Sequence, residues 1–146
     1  MRFPLNRLKK KACPMTFTYY TQSKLVFGPG AQNNLEQLLR EQNATSILLV
    51  YSGDYVFDLG IHDVVEKAVA AIGAKLIENG DVVPNPRIDL VRDLIVKARE
   101  ADVDFVLAAG GASSFDTAKA VGVGLAYGGD VWDLFDGTAE PQSSIP

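Results

Sequence analysis

Cysteine and histidine are almost missing from this chain of 146 residues, which holds one of each, Cys13 and His62. A lone cysteine cannot close an intramolecular disulfide. One Cys with one His also excludes a zinc finger or a His-rich metal centre built within a single chain. No uninterrupted apolar run approaches the roughly 18–20 residues needed to span a membrane. A basic surplus is missing as well, because the formal net charge is −4. Such a balance argues against nucleic acid as a partner, and the cytoplasm is the expected compartment.

What is present suits one ordinary globular domain. The length allows a single substantial core but not two, and 47% hydrophobic with 22% charged residues is a typical soluble composition. The charge is unevenly placed. Arg2, Arg7, Lys9, Lys10 and Lys11 stand without any acid in residues 1–14, leaving 9 basic against 18 acidic side chains in residues 15–146. The leader lacks the continuous apolar core of a secretory signal. A targeting peptide, an arm for anionic surfaces and an extension ahead of a start at Met15 all fit it, so the fold is read from residue 15 onward.

From there apolar runs alternate with amphipathic stretches. Lys24 to Phe27 reads as a short strand punctuated by Gly28-Pro29-Gly30. Ala31, Leu35, Leu38 and Leu39 mark one face of a helix. Ile47 to Val50 is a continuous apolar run, as in a parallel strand covered on both faces. Ile61, Val64, Val65, Ala68 and Ile72 form the next helical stripe, with Gly73 placed for a left-handed C-cap. Lys75 to Ile77 reads as a strand, and Pro84-Asn85-Pro86 enforces an extended loop. A third helix follows through Ile88, Val91, Ile95 and Ala98. Phe105 to Ala109 reads as a second buried strand that runs into Gly110-Gly111, and a helix is expected from about Ser113 to Leu125. Ser143 to Pro146 reads as the start of a further strand. This alternation predicts an α/β fold: a Rossmann-like, mostly parallel sheet with helices on both faces. Ligands bind such sheets beyond the carboxyl ends of the strands. The loops after Val50 and Ala109 are therefore the places to look for chemistry.

The stretch Gly110-Gly111-Ala112-Ser113-Ser114-Phe115-Asp116-Thr117-Ala118-Lys119 carries the most information. A strand delivers the backbone to a turn of small residues that opens a helix. Glycines let main-chain amides approach a ligand, and a helix N-terminus suits a pyrophosphate. A second reading stands beside this one. Ser113 and Asp116 have the spacing of a capping box, and Asp116 can pair with Lys119 three residues on.

These ten residues resemble the G-G-G-S-x-x-D-x-A-K signature of iron-containing alcohol dehydrogenases, departing from it only at Ala112. Phe27-Gly28-Pro29-Gly30 resembles that family's F-G-x-G, and Val83-Pro84-Asn85-Pro86 its V-x-P-N-P loop, so the resemblance covers residues 15–146. Its flavour is nearest the butanol, lactaldehyde and 1,3-propanediol dehydrogenases. The resemblance implies the N-terminal domain of the dehydroquinate synthase-like fold, binding NAD or NADP. Gly111, Ala112 and Ser113 would face the pyrophosphate with Gly110 beside them in the cofactor site, Asp116 would lie near the nicotinamide, and Asn85 would meet a cofactor ribose. At Ala112 a Cβ would cost about 1–2 kcal/mol if the backbone there were left-handed. If the position only needs close approach, the methyl group would push the pyrophosphate outward.

The resemblance also implies that Tyr51-Ser52-Gly53-Asp54 meets the adenosine ribose. The position that discriminates between cofactors falls on Gly53, which tolerates NADP, whereas the neighbouring Asp54 favours NAD. Asp54 could equally cap the helical turn that follows. His62 sits beside Asp63 on the polar side of its helix and reads as a solvated surface residue. Trp132, Phe135 and Asp136 read as a helical turn packed on the sheet, with its aromatics in the core. Cys13 has no histidine nearby and no nucleophilic role is expected.

In this family the metal, Fe2+ or another divalent ion, is held by one Asp and three His of a C-terminal helical domain. The expectation is thus a dinucleotide-binding domain over residues 15–146 that ends before that domain, with no catalytic or metal-binding residue of its own. By family it belongs to an oxidoreductase interconverting an alcohol and an aldehyde or ketone; alone it is expected to be inactive. A non-catalytic nucleotide-binding fragment and one subunit of a split dehydrogenase are the alternatives. Self-association is expected from apolar surface and an unfinished sheet edge.

Overall fold

The computed structural model describes residues 23–146. The basic leader and Cys13 lie outside the described residues. A 3-10 turn, Ala31–Asn34, leads into α1 (Leu35–Glu41), followed by β1 (Ser46–Tyr51), a single turn α2 (Tyr55–Asp58), α3 (Ile61–Ile72) and β2 (Lys75–Asn79). Next come α4 (Ile88–Glu100), β3 (Phe105–Ala109), α5 (Ala112–Ala126) and a 3-10 turn, Val131–Leu134.

The three strands form one parallel sheet in the order β2-β1-β3, with Leu48 facing Ile77 on one side and Val106 on the other. β1 is central, and its apolar run is explained by burial on both faces: Ile47, Leu48, Leu49 and Val50 are at most 1% exposed. Alternation divides them. Ile47 and Leu49 pack under α1 and α3 with Leu39, Val65 and Val69. Leu48 and Val50 pack under α4 and α5 with Val91, Leu94, Ala98 and Val121. Helices therefore cover both faces, as the alternation of elements predicts.

At the amino end of the sheet, Asp104 clamps β1 to β3. Its carboxylate accepts hydrogen bonds from the backbone N–H groups of Thr45 and Ser46 at 3.0 Å and from the Thr45 hydroxyl. Burial pushes this carboxyl up, but the donors outweigh it and hold it below the ordinary aspartate range. Among the described residues no helix is long and apolar enough to cross a membrane.

Several expectations need correction. Lys24 to Phe27 forms no strand; Leu25 and Phe27 are 84% and 93% exposed, because no strand among the described residues offers the segment a ladder. β3 is half-buried along its whole length, since it is the sheet's outer strand. Residues 141–146 make no regular element. Beside β3 they contribute one backbone bond, from Val106 N–H to the Pro146 carbonyl at 2.8 Å. Trp132 and Phe135 are 49% and 57% exposed, and Val131 is the residue of that turn that enters the core. His62 is not solvated: its side chain is 12% exposed, its ring centroid lies 4.6 Å from that of Phe57, and its Nε2 lies 2.8 Å from Glu78 Oε2. A residue on the polar side of α3 still meets the end of β2, which a helical stripe cannot show.

Candidate dinucleotide site at the carboxyl ends of the strands

The chain leaves β1 to form β2 on one side of it, then crosses back to form β3 on the other. The order of strands reverses between β1 and β3, and a crevice opens at their carboxyl ends at such a point. Tyr51 and Ala109 are register partners at that end, so the loops 52–54 and 110–111 leave the sheet side by side.

On the β1 side, Gly53 has φ +71 and a Cβ there would lie 3.3 Å from the Tyr55 ring, so the turn is suited to glycine. Asp54 occupies the N-cap position of α2, yet its side chain makes no capping hydrogen bond. The capping alternative thus describes where Asp54 stands and not what its carboxylate does. The Tyr51 hydroxyl is held above its ordinary value, first by burial and then by the negative charges of Glu78, Asp54 and Asp81. The neighbourhood is uniformly acidic: no lysine or arginine occurs in residues 46–58 or 76–86.

On the β3 side, Gly110 has φ +144, and a Cβ there would come within 2.6 Å of Tyr55 Oη and 2.7 Å of Ser114 Oγ. Gly111 has ordinary extended backbone, φ −88 and ψ −171, and a Cβ there would meet nothing within 4 Å. The turn at Gly111 therefore faces open space at the mouth of a 15-residue helix. No side chain caps that helix. α5 begins at Ala112, which moves Ser113 into the first turn and removes the Ser113–Asp116 capping box. Among the described residues Asp116 and Lys119 form no ion pair. Ala112 is helical and is not among the residues with positive φ, so its methyl group carries no backbone penalty. Only the close-approach argument remains at that position.

The proline-flanked loop closes the third side. Asn85 takes φ +62, a conformation asparagine tolerates better than most residues, and its N–H donates to Ser113 Oγ at 3.3 Å. Asn85, Gly110, Gly111, Ala112 and Ser113 are thereby gathered at one helix N-terminus, with Gly53 and Asp54 on the adjoining loop. Asp116 stands one turn further along α5, on the wall of a cavity of 530 Å³ lined by Pro86, Ile88, Val91, Lys119, Trp132 and Phe135 among others.

Sequence reasoning placed Ser52 in the ribose-side loop without a partner, and it missed Tyr55, Ser114 and Asn79. Ser52, Tyr55 and Ser114 are joined by hydroxyl contacts across the crevice. Asn79, 7% exposed, donates from its side-chain amide to Asp81 Oδ2 at 2.8 Å and shapes the turn after β2. A rule examining the first polar residue after each apolar strand singles out Ser52 but not Asn79, which closes β2 behind Glu78. Ser114 gives no such signal.

Among the described residues, one set of metal-ligating side chains clusters: His62, Asp63 and Glu66, with ligand atoms within 4.8 Å of one another. One histidine cannot supply the three that the resemblance assigns to iron, so an iron centre of that kind does not fit this chain.

Parallel sheet, two helical layers and a glycine turn at the strand-order reversal define a Rossmann-like α/β fold. The model of the iron-containing alcohol dehydrogenase family matches residues 22–146, and the chain belongs to that family. It is 40% identical over 132 residues to the probable NADH-dependent butanol dehydrogenase 2 of Bacillus subtilis, covering 89% of this chain and 33% of that protein. It is 29% identical to the NADPH-dependent aldehyde reductase of Escherichia coli, with 89% and 33% covered. The solved NADH-dependent butanol dehydrogenase A of Thermotoga maritima superposes with a TM-score of 0.83 at 30% identity, covering 90% of this chain and 33% of that one. The chain thus spans about a third of the length of the relatives it matches.

Proposed function

We propose that residues 15–146 are the dinucleotide-binding portion of a metal-dependent alcohol dehydrogenase that interconverts an alcohol and an aldehyde or ketone. The observation that carries this reading is the uncapped N-terminus of α5, open at Gly111 and joined through Ser113 to Asn85 at the strand-order reversal. The amino end of a 15-residue helix favours a negative group, and with no side chain in the way a pyrophosphate can take that place. A dinucleotide held by that pyrophosphate would supply hydride transfer at its nicotinamide C4. Gly110 and Gly111 let the main chain approach the diphosphate, and Ser113 adds a hydroxyl already oriented by Asn85. Asp116 stands on the nicotinamide side, where the apolar cavity begins.

NADH is the preferred cofactor in this reading. The relatives include proteins named for NADH and for NADPH, so the preference rests on charge. Asp54 is free to accept from ribose hydroxyls, and with Asp81 and Glu78 nearby and no cation on either loop, a 2′-phosphate meets only repulsion. The chain alone binds dinucleotide without turning over alcohol, because the three-histidine metal set is not in its sequence.

Calorimetric titration with NADH and NADPH tests the proposal. Saturable binding with NADH the tighter ligand is expected, and Asp54→Gly should narrow the difference. No heat with either cofactor at millimolar concentration sinks the binding claim. An unchanged preference in the variant removes Asp54 from it.

A further inference from the structure

Ser114 is a fully buried hydroxyl residue in the first turn of α5, at a position the family signature leaves unspecified. A buried hydroxyl must be bonded to avoid a desolvation cost. Thr117, equally buried, solves this locally by donating to the Ser113 carbonyl at 2.8 Å. Ser114 does not. Its hydroxyl donates to Ser52 Oγ at 3.2 Å, 62 residues away on the loop after β1. Ser52 Oγ in turn lies 3.4 Å from Tyr55 Oη. Tyr55 reaches back to the glycine turn, where only the missing side chain of Gly110 leaves room for its hydroxyl. Ser52, Tyr55, Gly110 and Ser114 thus connect the two loops that flank the crevice.

We propose that Ser114, acting through Ser52, is a positioning residue that fixes the spacing between the ribose-side loop and the glycine turn so that one dinucleotide can span both. This rests on the dinucleotide reading given above. The physical reason is preorganisation. A ligand held by both loops gains from having their separation set beforehand, whereas one held by the β1 loop alone does not. NADH meets both loops, whereas adenosine, which has no phosphate, meets the ribose-side loop only.

The test titrates NADH and adenosine against the wild-type chain, S114A, S52A, S52T and S52A/S114A, with a urea midpoint for each. S114A and S52A should each weaken NADH about three- to tenfold, the worth of one neutral hydrogen bond, while adenosine changes less than about twofold. The double variant should bind NADH no more weakly than either single one, because the two side chains act as a unit. S52T, which keeps the hydroxyl, should retain wild-type affinity. Should S114A not fold, S52A removes the same bond from the half-buried side. Absence of NADH binding by the wild type overturns the dinucleotide reading and this inference together. Wild-type binding with unchanged single variants, with NADH and adenosine weakened alike, or with additive effects in the double variant overturns the inference alone.

Discussion

Replacing Gly111 by alanine separates ligand approach from folding more cleanly than any other change in the crevice. The backbone at Gly111, φ −88 and ψ −171, is open to any residue, and a Cβ there meets nothing within 4 Å. Two small terms act on stability. Restricting the unfolded chain stabilises by about 0.4–1 kcal/mol. Exchanging glycine for alanine at an N-cap costs about 0.5 kcal/mol or slightly more. They nearly cancel, so the urea midpoint should stay within the equivalent of about 0.5 kcal/mol. Binding should behave differently. The methyl group projects into the space assigned to the pyrophosphate, and losing one charge-assisted hydrogen bond costs about 1.5–3 kcal/mol, or roughly 10- to 100-fold in the NADH dissociation constant. Gly110→Ala is the counterpart. Its φ of +144 and the 2.6 Å approach to Tyr55 Oη put about 1–3 kcal/mol of strain into the fold itself. Paired urea melts and calorimetry should give a stable, weakly binding G111A and a destabilised G110A. A G111A chain that binds NADH like the wild type refutes the placement of the pyrophosphate.

Three further outcomes follow from the packing. Asp104→Asn should cost about 1–3 kcal/mol at neutral pH, because a carboxylate accepting from Thr45 and Ser46 becomes a neutral amide. Since the folded Asp104 pKa is depressed, this contribution is present above the unfolded value of about 3.9 and is lost as pH falls through the folded one; melting curves of the two proteins should converge in acid, and a constant gap would refute the clamp. Gly124→Ala should destabilise by about 1–3 kcal/mol despite better helix propensity, because its Cβ would sit 2.3 Å from Ile95 Cδ1 where α4 and α5 meet; an unchanged thermal midpoint would show that Ile95 yields freely. The apolar cavity walls should drive self-association at high concentration, and Trp132→Ser with Phe135→Ser should reduce it by light scattering; a monodisperse wild-type monomer counts against this.

The layers of the fold were legible because each reports a local physical demand. Ile47 to Val50 must be covered on two faces, and the helical stripes around Val65 and Val91 are what cover it. Phe105 to Ala109 was recognised residue for residue as a strand, though its burial was not, since edge or centre depends on neighbours outside the segment. The Lys24–Phe27 error has the same origin. An apolar, strand-prone run becomes a strand only when a partner offers hydrogen bonds, and none does among the described residues.

The site divides along a similar line. Gly53 and Gly110 announce themselves because turns between strand and helix demand particular backbones, Gly111 and Ser113 stand out by their place at the helix mouth, and the family resemblance added Asn85. Local spacing alone also suggested a capping box at Ser113 and Asp116, and it failed by two residues: the N-cap of α5 is Gly111, so Ser113 lies within the helix and is free to bond Asn85. The same helix start buries Ser114 and turns it toward Ser52. Neither bond is encoded by spacing, because each joins segments brought together only by the parallel pairing of β1 with β3 and by the crossover through α4. The sheet's register therefore sets the site as much as the motif does. That explains how the signature can carry alanine at position 112 without strain while its unspecified serine holds the two loops together.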